Sequence, residues 1–315
     1  MMEKQALTQR MERLPVPVLP TMVGAATLSN VYATLGFSWI RHLTMWAAVL
    51  VILAYMVKLV KYPQTCLKEY QNTVLASLYG GLTMLLMILG SYFFEFVPAF
   101  GKGLWLVALG VHAIHIVVFT YRNVIKSRSM DTFVPSWFVT YNGIMVSGVV
   151  GGAMNEAGIL RLVVYYGIAV YFILIPLLIY RLMRYEIKAG MVHTQAIVLA
   201  PSSLCVVAYL NVIKEPNHLL VLFLYLCVML SVLFVVSKMP KFFSYPFSPA
   251  FAGLTFPMAI GIVASVKVSG YLAQMGMDQL AGAIRQISGI QLYITTAIIG
   301  FVLYNFLKQL CGKTE

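Results

Sequence analysis

Residues 219–236 read LLVLFLYLCVMLSVLFVV, a run without a charge, a glycine or a proline. At about 1.5 Å of rise per helical residue, it nearly matches the roughly 30 Å hydrocarbon core of a bilayer. It has no polar face, so water cannot be its solvent on any side. Nine more apolar runs lie around it, at 16–35, 42–60, 76–97, 103–121, 133–154, 162–180, 194–213, 247–268 and 290–306. Hydrophobic residues make up 61% of the 315 and charged ones only 10%, against about 25% charged in soluble domains. Lipid must therefore cover most of the surface. A bilayer offers no hydrogen bonds to bare backbone, so the spanning elements are helices or a closed barrel, and runs of this length choose helices. The expected fold is an all-α membrane protein of ten transmembrane helices, one domain over 1–315. Its ends are a short tail at 1–14 and a C-terminus at 307–315.

The positive charges orient it. The first tail carries Lys4, Arg10 and Arg13 and has no apolar core or cleavage site of a signal peptide. Even-numbered loops carry Lys58, Lys61 and Lys68, then Arg122, Lys126 and Arg128, then Arg181, Arg184 and Lys188, then Lys238 and Lys241. The C-terminus adds Lys308 and Lys313. Odd loops share Arg41, Lys102, Arg161, Lys214, Lys267 and Arg285, so the division is 16 against 6. Cytoplasmic loops hold the excess of Lys and Arg, which places both termini in the cytoplasm. The net charge of +12 thus reads as topology and not as a nucleic-acid surface.

Odd-numbered spans begin near 16, 76, 133, 194 and 247, at steps of 60, 57, 61 and 53 residues. Each step is one helical hairpin that starts and finishes on the same side, so the repeats are parallel, related by an axis along the membrane normal. Five such hairpins make a quasi-fivefold ring around a central pore. Odd spans hold the prolines, with Pro20, Pro135, Pro201 and Pro257 as expected helix kinks, and they carry more glycine and small polar groups. Kinked backbone is tolerated where protein or water satisfies the freed carbonyls, so odd spans line the interior. The pore-lining candidates are Gly24, Asn30, Gly81, Asn142, Ser147, Ser202, Ser203 and Thr255. The competing reading is that such small residues only let helices pack closely.

Acidic residues stand in tails, loops or span ends. Glu95 and Lys267 read as snorkelling anchors at the outer ends. An uncharged pathway with positive charge at its inner mouth suits an anion better than a cation. His112 and His115, three apart on the fourth span, read as interface histidines because no third ligand accompanies them. The four cysteines have no paired spacing, and no phosphate loop, nucleophile elbow or HExxH occurs. No enzyme activity, metal or cofactor is expected.

Three stretches carry a resemblance: residues 15–24, PVPVLPTMVG; 199–209, LAPSSLCVVAY; and 252–258, AGLTFPM. With the span count and loop lengths, they resemble the tellurite-resistance/dicarboxylate transporter family, which includes bacterial TehA and the slow-type anion channels of plant guard cells. The resemblance implies five hairpins around a pore, a homotrimer with one pore per subunit, and a cell-membrane location. In that family a phenylalanine on the ninth helix blocks the pore, and the stretch at 255–257 puts that role on Phe256. The third span lacks the family's proline, with glycines in its place. The expected function is a gated passive channel for small anions such as chloride or nitrate. The alternative is a proton-linked carrier of dicarboxylates such as malate, or of another organic or sulfur oxyanion. A scaffold or receptor without transport leaves five kinked helices unexplained.

Overall fold

The computed structural model describes residues 10–127, 133–187 and 189–311. Lys4, Arg128, Lys188 and Lys313 of the charge count lie outside the described residues, as do the outermost parts of both expected tails.

Every regular element among the described residues is helical. In chain order these are α1 (Val18–Thr34), α2 (Ser38–Lys61), α3 (Pro63–Gln71), α4 (Thr73–Leu78), α5 (Gly80–Phe94) and α6 (Pro98–Thr120). They continue as α7 (Trp137–Tyr141), α8 (Val146–Val150), α9 (Ala157–Arg184), α10 (Leu199–Val212), α11 (His218–Phe243), α12 (Ala252–Gln274) and α13 (Asp278–Cys311). Short tighter or wider turns join them, including a π-helical turn at Tyr121–Lys126 that extends α6.

Eight helical stretches are long and apolar enough to cross a membrane. Two of the ten expected runs take another form. α1 has 17 residues, about 25 Å of helix, because Pro15 and Pro17 delay its start. The run at 133–154 is a broken helix: α7, a 3-10 turn at Gly143–Met145, α8, and a second 3-10 turn at Gly152–Met154. Asn142 and Gly143 stand at its first break, and both residue types favour turns over helix interiors.

Turn chemistry repeats along the chain. α1 ends at Gly36 with φ +92° and α12 at Gly276 with φ +75°, a left-handed conformation that glycine adopts freely. In both, the glycine N–H bonds three residues back (to Ala33, to Ala273) and the next N–H bonds five back (Phe37 to Tyr32, Met277 to Leu272). That pairing is the Schellman motif. Each of these helices is followed at once by a long lipid-facing one, so the two hairpins share one connection.

Burial separates two layers. In the helices formed by Thr73–Phe94, Gly190–Val212 and Pro249–Gln274, 72%, 78% and 83% of the apolar window is buried, against 28% to 33% for the other five. α1 is likewise buried from Val18 to Ser29. α1 packs on α5 and α12, α10 packs on α12 and α8, and α8 packs on α5. The inner elements therefore follow one another in a closed circuit, and each long partly exposed helix leans on the inner one beside it.

At the Lys/Arg-rich end, Lys58 is fully buried although its helix is otherwise half exposed. Its Nζ donates to the Leu14 carbonyl at 2.8 Å and to Glu69 Oε1 at 2.7 Å, and the Tyr79 hydroxyl donates to Glu69 Oε2 at 2.6 Å. The Tyr55 hydroxyl donates to the Pro15 carbonyl at 2.6 Å. Lys58, counted above as a loop charge, thus ties the segment before α1 to α3 and, through Glu69, to the junction of α4 and α5 at Tyr79.

Candidate functional site

Four inner segments change their winding along their length. α4 gives way to α5 at Tyr79, α7 ends at Asn142, the 3-10 turn at Ala189–Val198 passes into α10, and the 3-10 turn at Pro249–Phe251 passes into α12. Irregular backbone at membrane depth is tolerated where it is buried in protein or lines a cavity, and here it does line one. A cavity of about 20 Å³ lies between Pro20 of α1, Leu78 and Met84, Phe138 and Gly143, Ile197 and Leu204, and Phe256 and Pro257 of α12. All five inner segments reach it. That volume is roughly the space needed by a single water, and its lining is apolar, so it is a dry throat.

Phe256 stands in this lining, 5% exposed. Behind it the backbones of α1 and α12 touch: a Cβ on Gly24 would meet Phe256 N at 2.6 Å and Thr255 C at 2.7 Å. Gly81 plays the same part between α5 and α1, where a Cβ would lie 2.9 Å from Pro20 N. Both glycines serve close packing. Gly24→Ala should cost about 1–3 kcal/mol by forcing these backbones apart, measured as a loss of thermal stability in detergent; stability equal to that of the unaltered chain would mean that α1 and α12 are free to separate.

The polar candidates sit elsewhere. Ser147 donates to Ile144 O at 2.7 Å, Ser203 to Leu199 O at 2.7 Å, Ser202 to the same carbonyl at 3.4 Å, and Thr255 to Ala252 O at 2.8 Å. Buried hydroxyls that return to their own helix satisfy themselves locally. Asn142 Nδ2 donates to Gly167 O on α9 at 2.9 Å, while its Oδ1 has no partner. Asn30 stands in the last turns of α1, where its Oδ1 accepts from Arg41 Nε at 2.8 Å. None of these lines that cavity, whose wall is apolar. Among the prolines, only Pro257 of the four expected kinks lies inside an α-helix. Pro20 and Pro201 occupy the first turns of α1 and α10, where a missing N–H leaves nothing unsatisfied, and Pro135 precedes α7.

Some charged groups are neutralised in place. Arg41 makes a two-pronged bond to Glu95, with Nη1 at 2.8 Å from Oε2 and Nη2 at 2.5 Å from Oε1, and lies 5.1 Å from the Tyr92 ring centre. Glu95 is thus an ion-pair partner, whereas Lys267 is exposed. His112 is fully buried against the throat wall, since a Cβ on Gly143 would meet its Cε1 at 2.9 Å. Its Nδ1 pairs with Thr83 Oγ1 at 2.6 Å and its Nε2 with Thr140 O at 2.8 Å. His115 joins Thr140 Oγ1 at 3.2 Å and the Tyr70 hydroxyl at 2.9 Å. Every imidazole nitrogen of the pair therefore has a protein partner.

Sequence reasoning did not single out Met84, Phe138, Ile197 or Leu204, which wall the throat with Phe256. They are ordinary apolar residues within apolar runs, and their one shared signal is nearness to a break in helical winding. The family model described as SLAC1, voltage-dependent anion channel, matches residues 14–308. Comparison with curated proteins gives no match.

Proposed function

Because this chain belongs to the voltage-dependent anion channel (SLAC1) family, we propose that it is a gated passive channel for small anions such as chloride or nitrate. In this reading all ten apolar runs cross the membrane, as five parallel hairpins in a quasi-fivefold ring. Both termini face the cytoplasm, and a trimer in the cell membrane carries one pore per subunit. The observation that supports it is the throat. Five inner segments meet at an uncharged constriction, and a narrow apolar constriction can gate by excluding water. Phe256 is the gate and the cytoplasmic excess of Lys and Arg concentrates anions at the inner mouth. No fixed charge in the lining holds the ion, which permits fast exit.

The test is electrical. Purified chain in planar bilayers with an anion gradient should give currents that reverse at the anion's equilibrium potential, with no dependence on a pH gradient. The second reading, a proton-linked carrier of dicarboxylates or another oxyanion, draws on the His112–Thr83–Thr140–His115 contacts against the throat wall. Saturable malate uptake into proteoliposomes that follows the pH gradient, without channel current, would establish that reading instead.

A further inference from the structure

Between α6 and α9 the outer layer is open. There the structure holds a cavity of about 640 Å³, lined by the end of α6 and its π-helical turn, by Phe133 and α7, and by the middle of α9. The corresponding gap beside α11 and α13 holds only about 20 Å³. The larger volume is the size of a small-molecule site. Its rim is apolar and exposed at Val124, Ile173 and Leu177, so it faces the hydrocarbon of the leaflet on the Lys/Arg-rich side.

Its polar groups narrow what fits. The Thr120 hydroxyl donates to Ile116 O and accepts from the Tyr141 hydroxyl at 2.9 Å. Asn123 accepts from Thr73 and donates to Phe119 O. Two lining groups remain: the indole N–H of Trp137, a residue 6% exposed, and the hydroxyl of Tyr166, both without a partner among the described residues. The Trp137 ring is wedged edge-on between Phe133, at 4.9 Å, and Phe119, at 5.3 Å, so its N–H cannot turn to find one. A buried donor left unpaired is costly. Among the described residues no charged side chain lines the cavity, which argues against an ionic headgroup inside it.

We propose that this cavity binds one membrane phospholipid, with an acyl chain between α6 and α9 and an ester carbonyl accepting from Trp137 Nε1–H and Tyr166 O–H. The headgroup stays outside, in the turn that carries Arg122 and Lys126. A lipid supplies both the long apolar body and the neutral acceptor that the lining requires. Bound there, it rests on α7, whose Phe138 walls the throat, so lipid occupancy bears directly on a gate segment.

The test uses the full chain in vesicles of phosphatidylcholine brominated on its acyl chains. The emission due to Trp137 is taken as the difference between the unaltered chain and Trp137→Phe, and that of the fully buried Trp105 as the difference with Trp105→Phe. Trp137 should be quenched as strongly as a lipid-facing tryptophan, and Trp105 should not. Val170→Phe, which fills the cavity, should abolish that quenching and also remove a phospholipid adduct seen by native mass spectrometry of the unaltered chain. Trp137 emission as insensitive to bromine as that of Trp105 overturns the proposal, as does quenching that survives Val170→Phe. A dimer or trimer contact found to cover the cavity also overturns it, because a second copy is then the occupant.

Discussion

Phe256→Ala raises the anion current of the reconstituted chain by at least about tenfold, if the ring is what closes the throat. The magnitude follows from the barrier: each ~1.4 kcal/mol removed is a factor of ten in rate. Truncating a buried phenylalanine of the lining widens a space now sized for roughly one water. Such a substitution also costs about 3–5 kcal/mol of packing, so current has to be normalised to folded protein in the membrane. Two controls separate gating from loosening. Phe119→Ala removes an equally buried ring that does not line the throat and should leave conductance closed. Phe256→Leu keeps much of the volume and should fall between the two. Well-folded Phe256→Ala protein with unchanged current would sink the gate assignment, and the same current from Phe119→Ala would show only a leaky fold.

Lys58→Ala gives the largest loss of stability outside the throat. Lys58 is fully buried, and among the described residues it is the one charge that pairs with Glu69, whose side chain is 21% exposed. Removing one member of a buried pair leaves the other uncompensated and costs about 3 kcal/mol or more; the partial exposure of Glu69 holds the expected value at the lower end of that range. The Leu14 carbonyl also loses its donor, which frees the segment entering α1. Lys58→Met combined with Glu69→Gln should recover most of the loss, because Gln still accepts from Tyr79 and no charge is stranded. Chemical unfolding in detergent measures both variants. A loss below about 1 kcal/mol for Lys58→Ala would mean that the pair is solvated like a surface one.

The two variants mark how far the sequence reading reached. Lys58 was legible as a positive charge near a span end, and the hydropathy around it was correct. Its burial was not, because that depends on Leu14 and Glu69, 44 positions before it and 11 after it. Glu95 reads alone as an interface anchor, and only the approach of Arg41 from the preceding hairpin makes it an ion-pair partner. Phe256 came from resemblance, since one phenylalanine in an apolar run carries no mark of its own. Ser147, Ser203 and Thr255 each donate to a carbonyl three or four residues back, so polarity in an inner span does not by itself fix which way a side chain faces.

Hydrophobic run length, the division of Lys and Arg between loops and the repeat of about 60 residues are properties of local sequence against a bilayer. Sequence alone therefore determined an all-helical membrane protein with an inner and an outer class of helix. The throat is a property of contact between segments far apart, as where Gly24 admits the backbone at Phe256. Only the tertiary structure decided which apolar residues meet there, that Gly24 and Gly81 serve packing and that the lining is dry. The reason is physical: hydropathy sums over one helix, whereas a cavity exists only where five segments fail to fill the space between them.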